Sequence, residues 1–266
     1  MQDKLKNKKI IVTGASGGIG ARIAWHIALN GGIPILLARS MEKLTEIQSK
    51  ISRELQQECF VVQVDLTEAN SVIKTFDRIL LEHGKVHGLI NNAGIGIFKE
   101  VSELSWEQIE KMFQVNVFAL VKGTKVLLPH FLSQEEDHNH IVNIASQAGK
   151  MATPKSSAYA ATKHAILGFT NALRMEVKNS KIFVTSVNLG PVRTGFFDVA
   201  DPDGTYQRNI EKYMLDPDIV AQRVVHHLFR QKREINLPWW MEVGSKIYNL
   251  FPKFMESVLK NQFHKK

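Results

Sequence analysis

The stretch KIIVTGASGGIGARIAWHIALN, residues 9–30, decides the fold. It opens with a short β-branched run at 9–13, passes through a glycine-rich turn, and continues over 18–30 with apolar residues at helical spacing. A strand that runs through such a turn into a helix leaves unpaired backbone N–H groups at the helix start, where they suit an anion. Gly14, Gly18 and Gly20 let the backbone turn tightly and approach a dinucleotide pyrophosphate, with Ser16, Gly17 and Ile19 completing the loop. The spacing is not the usual G-x-G-x-x-G, so the strand-turn-helix context carries the reading rather than the motif.

Outward from this turn the same alternation continues. Strands are expected at 33–38, 60–64, 86–91, 140–145, 183–189 and 234–237, with helices at about 42–56, 68–82, 105–132, from 156 onward and 217–230. This order specifies an α/β fold: a Rossmann-like, doubly wound parallel sheet of about seven strands with helices on both faces. The 266 residues contain no Ser/Gly/Pro-rich linker and are read as a single domain.

The formal charge of +8 is scattered, with its densest clusters in KLKNKK (4–9) and HKK (264–266), so no nucleic-acid partner is expected. A single cysteine, Cys59, precludes an internal disulfide and reads as a core residue. The start MQDKLKNKKIIV lacks the apolar stretch of a signal peptide, and no run reaches the ~18 apolar residues of a membrane span, so a cytoplasmic location is expected. The ten histidines are dispersed, and His226 and His227 have no acid or cysteine at ligand spacing, so no metal is expected.

The second strand ends in LLARS, which puts Arg39 nineteen residues after Gly20, where an NAD-binding fold offers a carboxylate to the ribose. A guanidinium there favours a 2′-phosphate, so the expected cofactor is NADP(H) rather than NAD(H), with Ser40 adding a hydroxyl.

In SSAYAATKHAILGFTNALRMEV (156–177), Ala158, Ala161, Ala165, Ile166, Phe169, Leu173 and Val177 form a helical stripe that places Tyr159 and Lys163 one turn apart on one face. A phenol titrates near pH ~10, and an adjacent ammonium favours the phenolate. Moving it by ~2–3 units takes about 3–4 kcal/mol. That calls for a second positive charge or partial burial beside the lysine, and an oxidised nicotinamide would supply the charge. Taken alone, such a pair is a common feature of helix surfaces.

With these motifs in place, the chain resembles a classical short-chain dehydrogenase/reductase. TGASGGIG is similar to that family's glycine motif, VDL (64–66) to its adenine-contacting segment with Asp65 and Leu66, and NNAG (91–94) to its fourth-strand motif with Asn92, Ala93 and Gly94. Asn116, Ser146, Tyr159 and Lys163 occupy the four catalytic positions, with Ser146 thirteen residues before Tyr159. In NLGPVRT (188–194), Leu189 stands where the family commonly has Pro, while Pro191, Val192 and Thr194 are retained for the nicotinamide side. The departure affects the local turn.

The resemblance implies that Tyr159 protonates a carbonyl oxygen, Ser146 polarises it, and Lys163 acidifies the phenol and bonds the ribose. The Asn116 carbonyl or amide would hold a water leading to Lys163. A strand-end serine can equally be satisfied locally, and a mid-helix Asn116 between Val115 and Val117 can instead be a buried bridge; its cost in a helix is itself evidence of a task.

Substrate would meet 95–98, 147–151 and a lid at about 195–215, where Phe98, Phe196, Phe197, Tyr206, Tyr213 and Met214 predict an apolar pocket. A lipophilic ketone, aldehyde or acyl thioester fits better than a sugar, and reduction to the alcohol is the expected reaction. Competing readings are a non-catalytic NADP-binding regulator and a nucleotide-sugar epimerase, the latter opposed by the glycine spacing and the short C-terminal portion.

Over 239–264 a helical extension is expected. Trp240, Val243, Ile247, Leu250, Phe254 and Val258 keep helical period across a break at Pro252. It is expected to cap the cleft and fill a subunit interface in preference to lying on a membrane surface. A homodimer or homotetramer is what the resemblance implies.

Overall fold

The computed structural model describes residues 4–134 and 136–258. The elements are β1 (Lys9–Thr13), α1 (Gly18–Leu29), β2 (Ile33–Ala38), α2 (Met41–Leu55), β3 (Phe60–Gln63), α3 (Ala69–His83) and β4 (Gly88–Asn91). There follow α4 (Trp106–Phe113), a π-helical turn (Gln114–Phe118), α5 (Ala119–Leu132), β5 (Asn139–Ile144), α6 (Ser157–Glu176) and β6 (Ile182–Leu189). The chain continues through α7 (Phe197–Ala200), α8 (Thr205–Ile210), α9 (Pro217–His226), β7 (Glu234–Leu237), α10 (Trp239–Leu250) and α11 (Pro252–Val258). The strands form one seven-stranded parallel sheet in the order β3-β2-β1-β4-β5-β6-β7. The order reverses between β1 and β4, which opens a crevice at the carboxyl ends of those strands.

Alternate strand residues feed two cores, as a sheet covered on both faces requires. Ile10, Val12, Leu36, Ile90 and Val142 pack with Ile23, Ile27 and Val224 of α1 and α9. On the other face Ile11, Ile35, Leu89 and Ile141 pack with Phe76, Leu127 and Leu173 of α3, α5 and α6. Cys59 lies in the first of these cores, as the sequence suggests, and burial pushes its thiol up to about 12.

The expected helix at 105–132 is one continuous helix from Trp106 to Leu132, with Ser105 as its N-cap and a π turn in the middle. By length and mean hydropathy it could cross a membrane, where no run of that kind was expected. Its inner face nevertheless belongs to the core through Leu120, Leu127 and Phe131. The tail forms helices over 239–250 and 252–258, broken where Pro252 falls; the remainder of the expected extension, 259–264, lies outside the described residues.

Candidate active site

The glycine turn is clamped by polar contacts from the fourth strand. Thr13 Oγ1 accepts from the backbone N–H groups of Asn92 and Ala93 at 3.0 and 3.1 Å, and Asn92 Nδ2 donates to Thr13 O at 2.9 Å. Gly14 holds φ +65°, a region that side chains avoid. A Cβ on Gly20 would lie 2.5 Å from Gly14 O and 2.6 Å from Asn92 Nδ2, so α1 can approach β4 only with glycine there. The N-terminus of α1 has no side-chain cap and no acidic residue in its first turn. An anion is the fitting partner for such an end.

A cleft runs from this turn in two directions. One arm is lined by Gly14, Ser16, Gly17, Gly18, Ile19, Arg39, Ser40, Asp65, Leu66, Ala93 and two lysines absent from the sequence reading, Lys43 and Lys111. Lys43 opens α2, four residues after Arg39, and that spacing was its available signal. The Ser40 hydroxyl accepts from Lys43 N at 3.4 Å as the cap of α2, so it has a structural task as well. The Asp65 carboxylate closes its own turn by accepting from Thr67 N and Oγ1 at 2.9 and 2.8 Å, bonds that hold it below the usual carboxylate range.

The other arm is a cavity of about 210 Å³ that contains Ser146, Tyr159, Lys163, Phe98, Phe196, Phe197, Tyr206, Pro191 and Val192. Ile19, Asn92, Gly94, Thr194 and Phe196 line both arms, making one continuous channel. Phe98 meets Tyr159, Phe196, Phe197 and Tyr206 at ring separations of 5.4–6.3 Å, an aromatic wall of edge and tilted contacts. Phe98 N–H bonds Ala200 O at 2.9 Å, which joins the loop after β4 to the lid helix α7. Two lid residues expected in the pocket are elsewhere: Tyr213 packs against Trp240 of α10 at 6.1 Å, and Met214 lines neither arm. Their place is taken by Met241 of α10, which lies over Gly190 and roofs the cavity. Met241, on the opposite face from the apolar stripe, thus covers the cleft, while the stripe residues expected to cap it are exposed.

A buried polar chain locks α6 in position. Asn91 Nδ2 donates to Asn143 Oδ1 at 2.8 Å, and Asn143 Nδ2 to Thr170 Oγ1 at 2.8 Å, linking β4 and β5 to the tyrosine helix. Tyr159 and Lys163 are both buried, and Lys163 Nζ sits 5.7 Å from the Tyr159 ring centre and donates to Ile144 O at 3.0 Å. Ser146 Oγ donates to Leu189 O at 3.2 Å and accepts from Ala148 N at 3.1 Å, and its hydroxyl beside Tyr159 pulls the phenol's pKa downward.

Of the two aids expected beside the lysine, a second positive charge or partial burial, burial acts in the opposite direction. Burial pushes the Tyr159 phenol up to about 12, against the pull of the Ser146 hydrogen bond, and pushes Lys163 down to about 8. Desolvation penalises the charged form of each group, so acidification of the phenol is left to the positive charge expected from an oxidised nicotinamide.

The Asn116 side chain is fully engaged. Its Oδ1 accepts from Ile95 N at 2.8 Å and its Nδ2 donates to Ile95 O and Thr162 Oγ1 at 2.9 and 3.0 Å. The buried bridging alternative thus describes its amide, and the π turn accommodates a residue that suits an ordinary helix interior poorly. Asn116 Oδ1 and Lys163 Nζ still converge: a Cβ on Gly94 would lie 3.4 and 3.6 Å from them. An uncapped helix end, basic side chains along one arm and a buried ammonium without a carboxylate partner among the described residues fit a phosphorylated, hydroxyl-bearing dinucleotide.

The comparisons agree with that chemistry. The family model described as short chain dehydrogenase matches residues 8–203. The dehydrogenase/reductase SDR family protein 7-like of Drosophila melanogaster is 31% identical over 242 residues, covering 88% of this chain and 73% of the relative. A fatty acyl-CoA reductase of Acinetobacter baylyi is 32% identical over 238 residues, covering 88% and 77%. The solved alcohol dehydrogenase of the archaeon Thermococcus sibiricus, complexed with 5-hydroxy-NADP, superposes with a TM-score of 0.76 at 28% identity, covering 87% of this chain and 96% of its own. The chain therefore belongs to the short-chain dehydrogenase/reductase family of nicotinamide-dependent oxidoreductases.

Proposed function

We propose that the protein is an NADPH-dependent reductase of lipophilic carbonyl compounds, such as a long-chain ketone, aldehyde or acyl thioester, acting through Tyr159 as general acid. The observation that carries this reading is the placement of the Tyr159 hydroxyl, with Ser146 and Lys163, in an aromatic cavity continuous with the glycine turn. When bound, the nicotinamide supplies the hydride. The phenol gives its proton to the carbonyl oxygen, and its raised pKa keeps it loaded for reduction at neutral pH. Ser146 turns its hydroxyl from Leu189 O toward the same oxygen. Lys163 bonds the ribose and returns a proton to Tyr159, and Asn116 holds the Ile95 segment beside them. The phenyl wall of Phe98, Phe196 and Phe197 takes the apolar part of the substrate, in keeping with the name of the acyl-CoA reductase relative.

NADP preference rests on Arg39 with Lys43 in the arm where the 2′-phosphate would sit, and on the NADP analogue in the Thermococcus enzyme. Assembly as a homodimer or homotetramer belongs to the same reading; exposed Phe118 and Leu132 on the long helix and Met175 on α6 offer a second copy its contact. The test is NADPH oxidation measured over a panel of aliphatic aldehydes, ketones, acyl thioesters and sugars. Turnover that rises with chain length supports the assignment; preference for sugars, or equal use of NADH, contradicts it.

A further inference from the structure

The largest unexplained feature lies outside the redox site. In α10 the apolar residues Trp239, Trp240, Val243, Ile247 and Leu250 are all exposed, with Trp239 at 73% and Leu250 at 72%. At 3.6 residues per turn these five fall within about 100° of arc, one stripe along the helix. Phe251, Phe254 and Val258 carry the apolar surface onward, at i, i+3 and i+7 through α11. Soluble surfaces seldom leave so many large apolar side chains contiguous without a partner.

The helix is not free to roll this stripe inward. On its other face Lys150 Nζ, from the turn after Ser146, bonds Glu242 Oε2 at 2.5 Å, Glu234 Oε2 of β7 at 2.6 Å and Asn236 Oδ1 at 3.2 Å. Ser245 is buried beside this cluster, and Met241 sits in the cavity. The ammonium thus fixes the polar face to the sheet, and the aromatic face must point outward.

We propose that the outer face of α10 and α11 docks on an anionic phospholipid surface. Three features of the chain favour lipid over a second copy. Lys246 and Lys253 are exposed beside the aromatic stripe; Lys246 pairs with Glu242 at 3.4 Å, Glu242 is also held by Lys150, and Glu256 accepts from Tyr248, so Lys253 is the cation on this face with no ion-pair partner among the described residues. The whole chain carries +8, and three of its lysines fall at 260–266, which complements a negative surface. Tryptophan and phenylalanine interleaved with lysine along a helix are the composition of an interfacial helix, whereas the core of a subunit contact is depleted in lysine. The helix that would meet lipid also roofs the cavity through Met241, so a membrane-dissolved substrate would arrive next to the site.

The test is flotation of the purified full chain with vesicles of phosphatidylcholine alone or mixed with phosphatidylserine, with tryptophan emission as a second readout. The variant Leu250→Glu/Phe254→Glu removes apolar character from residues that line no part of the cavity. We expect binding to the anionic vesicles with a blue-shifted emission, and at least a ~10-fold lower bound fraction for the variant. Its melting temperature, oligomeric mass and turnover of a short water-soluble carbonyl should stay unchanged. Absence of vesicle binding, binding indifferent to the double substitution, or a fall in the variant's oligomeric mass would each overturn the proposal. Flotation needs neither cofactor nor turnover, so its failure is distinct from failure of the redox reading.

Discussion

Replacing Lys163 with Met should make the cofactor-free protein more stable at neutral pH while disabling it. The lysine is buried, has no carboxylate partner among the described residues, and has its pKa pushed by burial from 10.5 down to about 8. At pH 7 the unfolded chain holds this proton more tightly than the folded one, which corresponds to about 3 kcal/mol against folding. Loss of the hydrogen bond to Ile144 O returns about 1 kcal/mol, so the net gain is about 2 kcal/mol, or roughly 4–8 °C in melting temperature. The pH dependence isolates the charge. With a folded pKa below the unfolded one, the folded state binds fewer protons between pH 8 and 10.5, so stability rises with pH there and falls again as pH drops toward 8. By pH 9.5 the penalty shrinks to about 1 kcal/mol, so the difference between variant and wild type should narrow by about 2 kcal/mol from pH 7 to 9.5. Urea unfolding of both proteins at the two pH values measures this directly. A variant less stable than wild type at pH 7, or a difference that does not change with pH, would refute the reasoning.

Three further outcomes follow from the geometry. Arg39→Ala should raise KM for NADPH roughly 10- to 100-fold, the range of one charge-assisted phosphate contact, and leave NADH almost untouched; an unchanged NADPH-to-NADH ratio in steady-state kinetics would remove the phosphate assignment. Lys150→Met leaves Glu234 and Glu242 without their shared buried cation, keeping only the more exposed Arg233 and Lys246 at 4.0 and 3.4 Å, so it should cost about 2 kcal/mol and expose α10 to limited proteolysis before the rest of the chain. Met241→Ala opens the roof of the cavity, and kcat/KM should shift toward longer or bulkier carbonyls by about 3- to 10-fold; an unaltered chain-length profile would mean that the roof does not meet substrate.

The sheet was legible because its strands are short apolar runs between helices of clear period, a pattern that a parallel sheet buried on both faces imposes. Strand ends moved by a residue or two, as in Gly88–Asn91 for an expected start at 86. The glycine turn, Arg39, Ser146, Tyr159 and Lys163 were legible because each sits at a strand end or on a helix face that the alternation fixes. What could not be read depends on contacts across the chain. Asn116 gave no sign that both ends of its amide would close on Ile95, since that follows from a loop folding back onto the π turn. Met241 was hidden because its helix shows an aromatic stripe on the other side. The phenol's pKa required knowing how dry the site is: full burial reverses the direction that adjacency to a lysine alone suggests. Lys150 looks in sequence like any surface lysine, and only the meeting of β7 and α10 around it gives it carboxylate partners.

The role of Tyr159 is tested most directly by single-turnover NADPH oxidation with a long-chain aldehyde in wild type and Tyr159→Phe, with NADPH binding followed separately by fluorescence. Loss of the proton donor should slow the chemical step by at least ~10²-fold while NADPH binds as tightly as before. A variant that oxidises NADPH at the wild-type rate would contradict the assignment of the phenol as the acid.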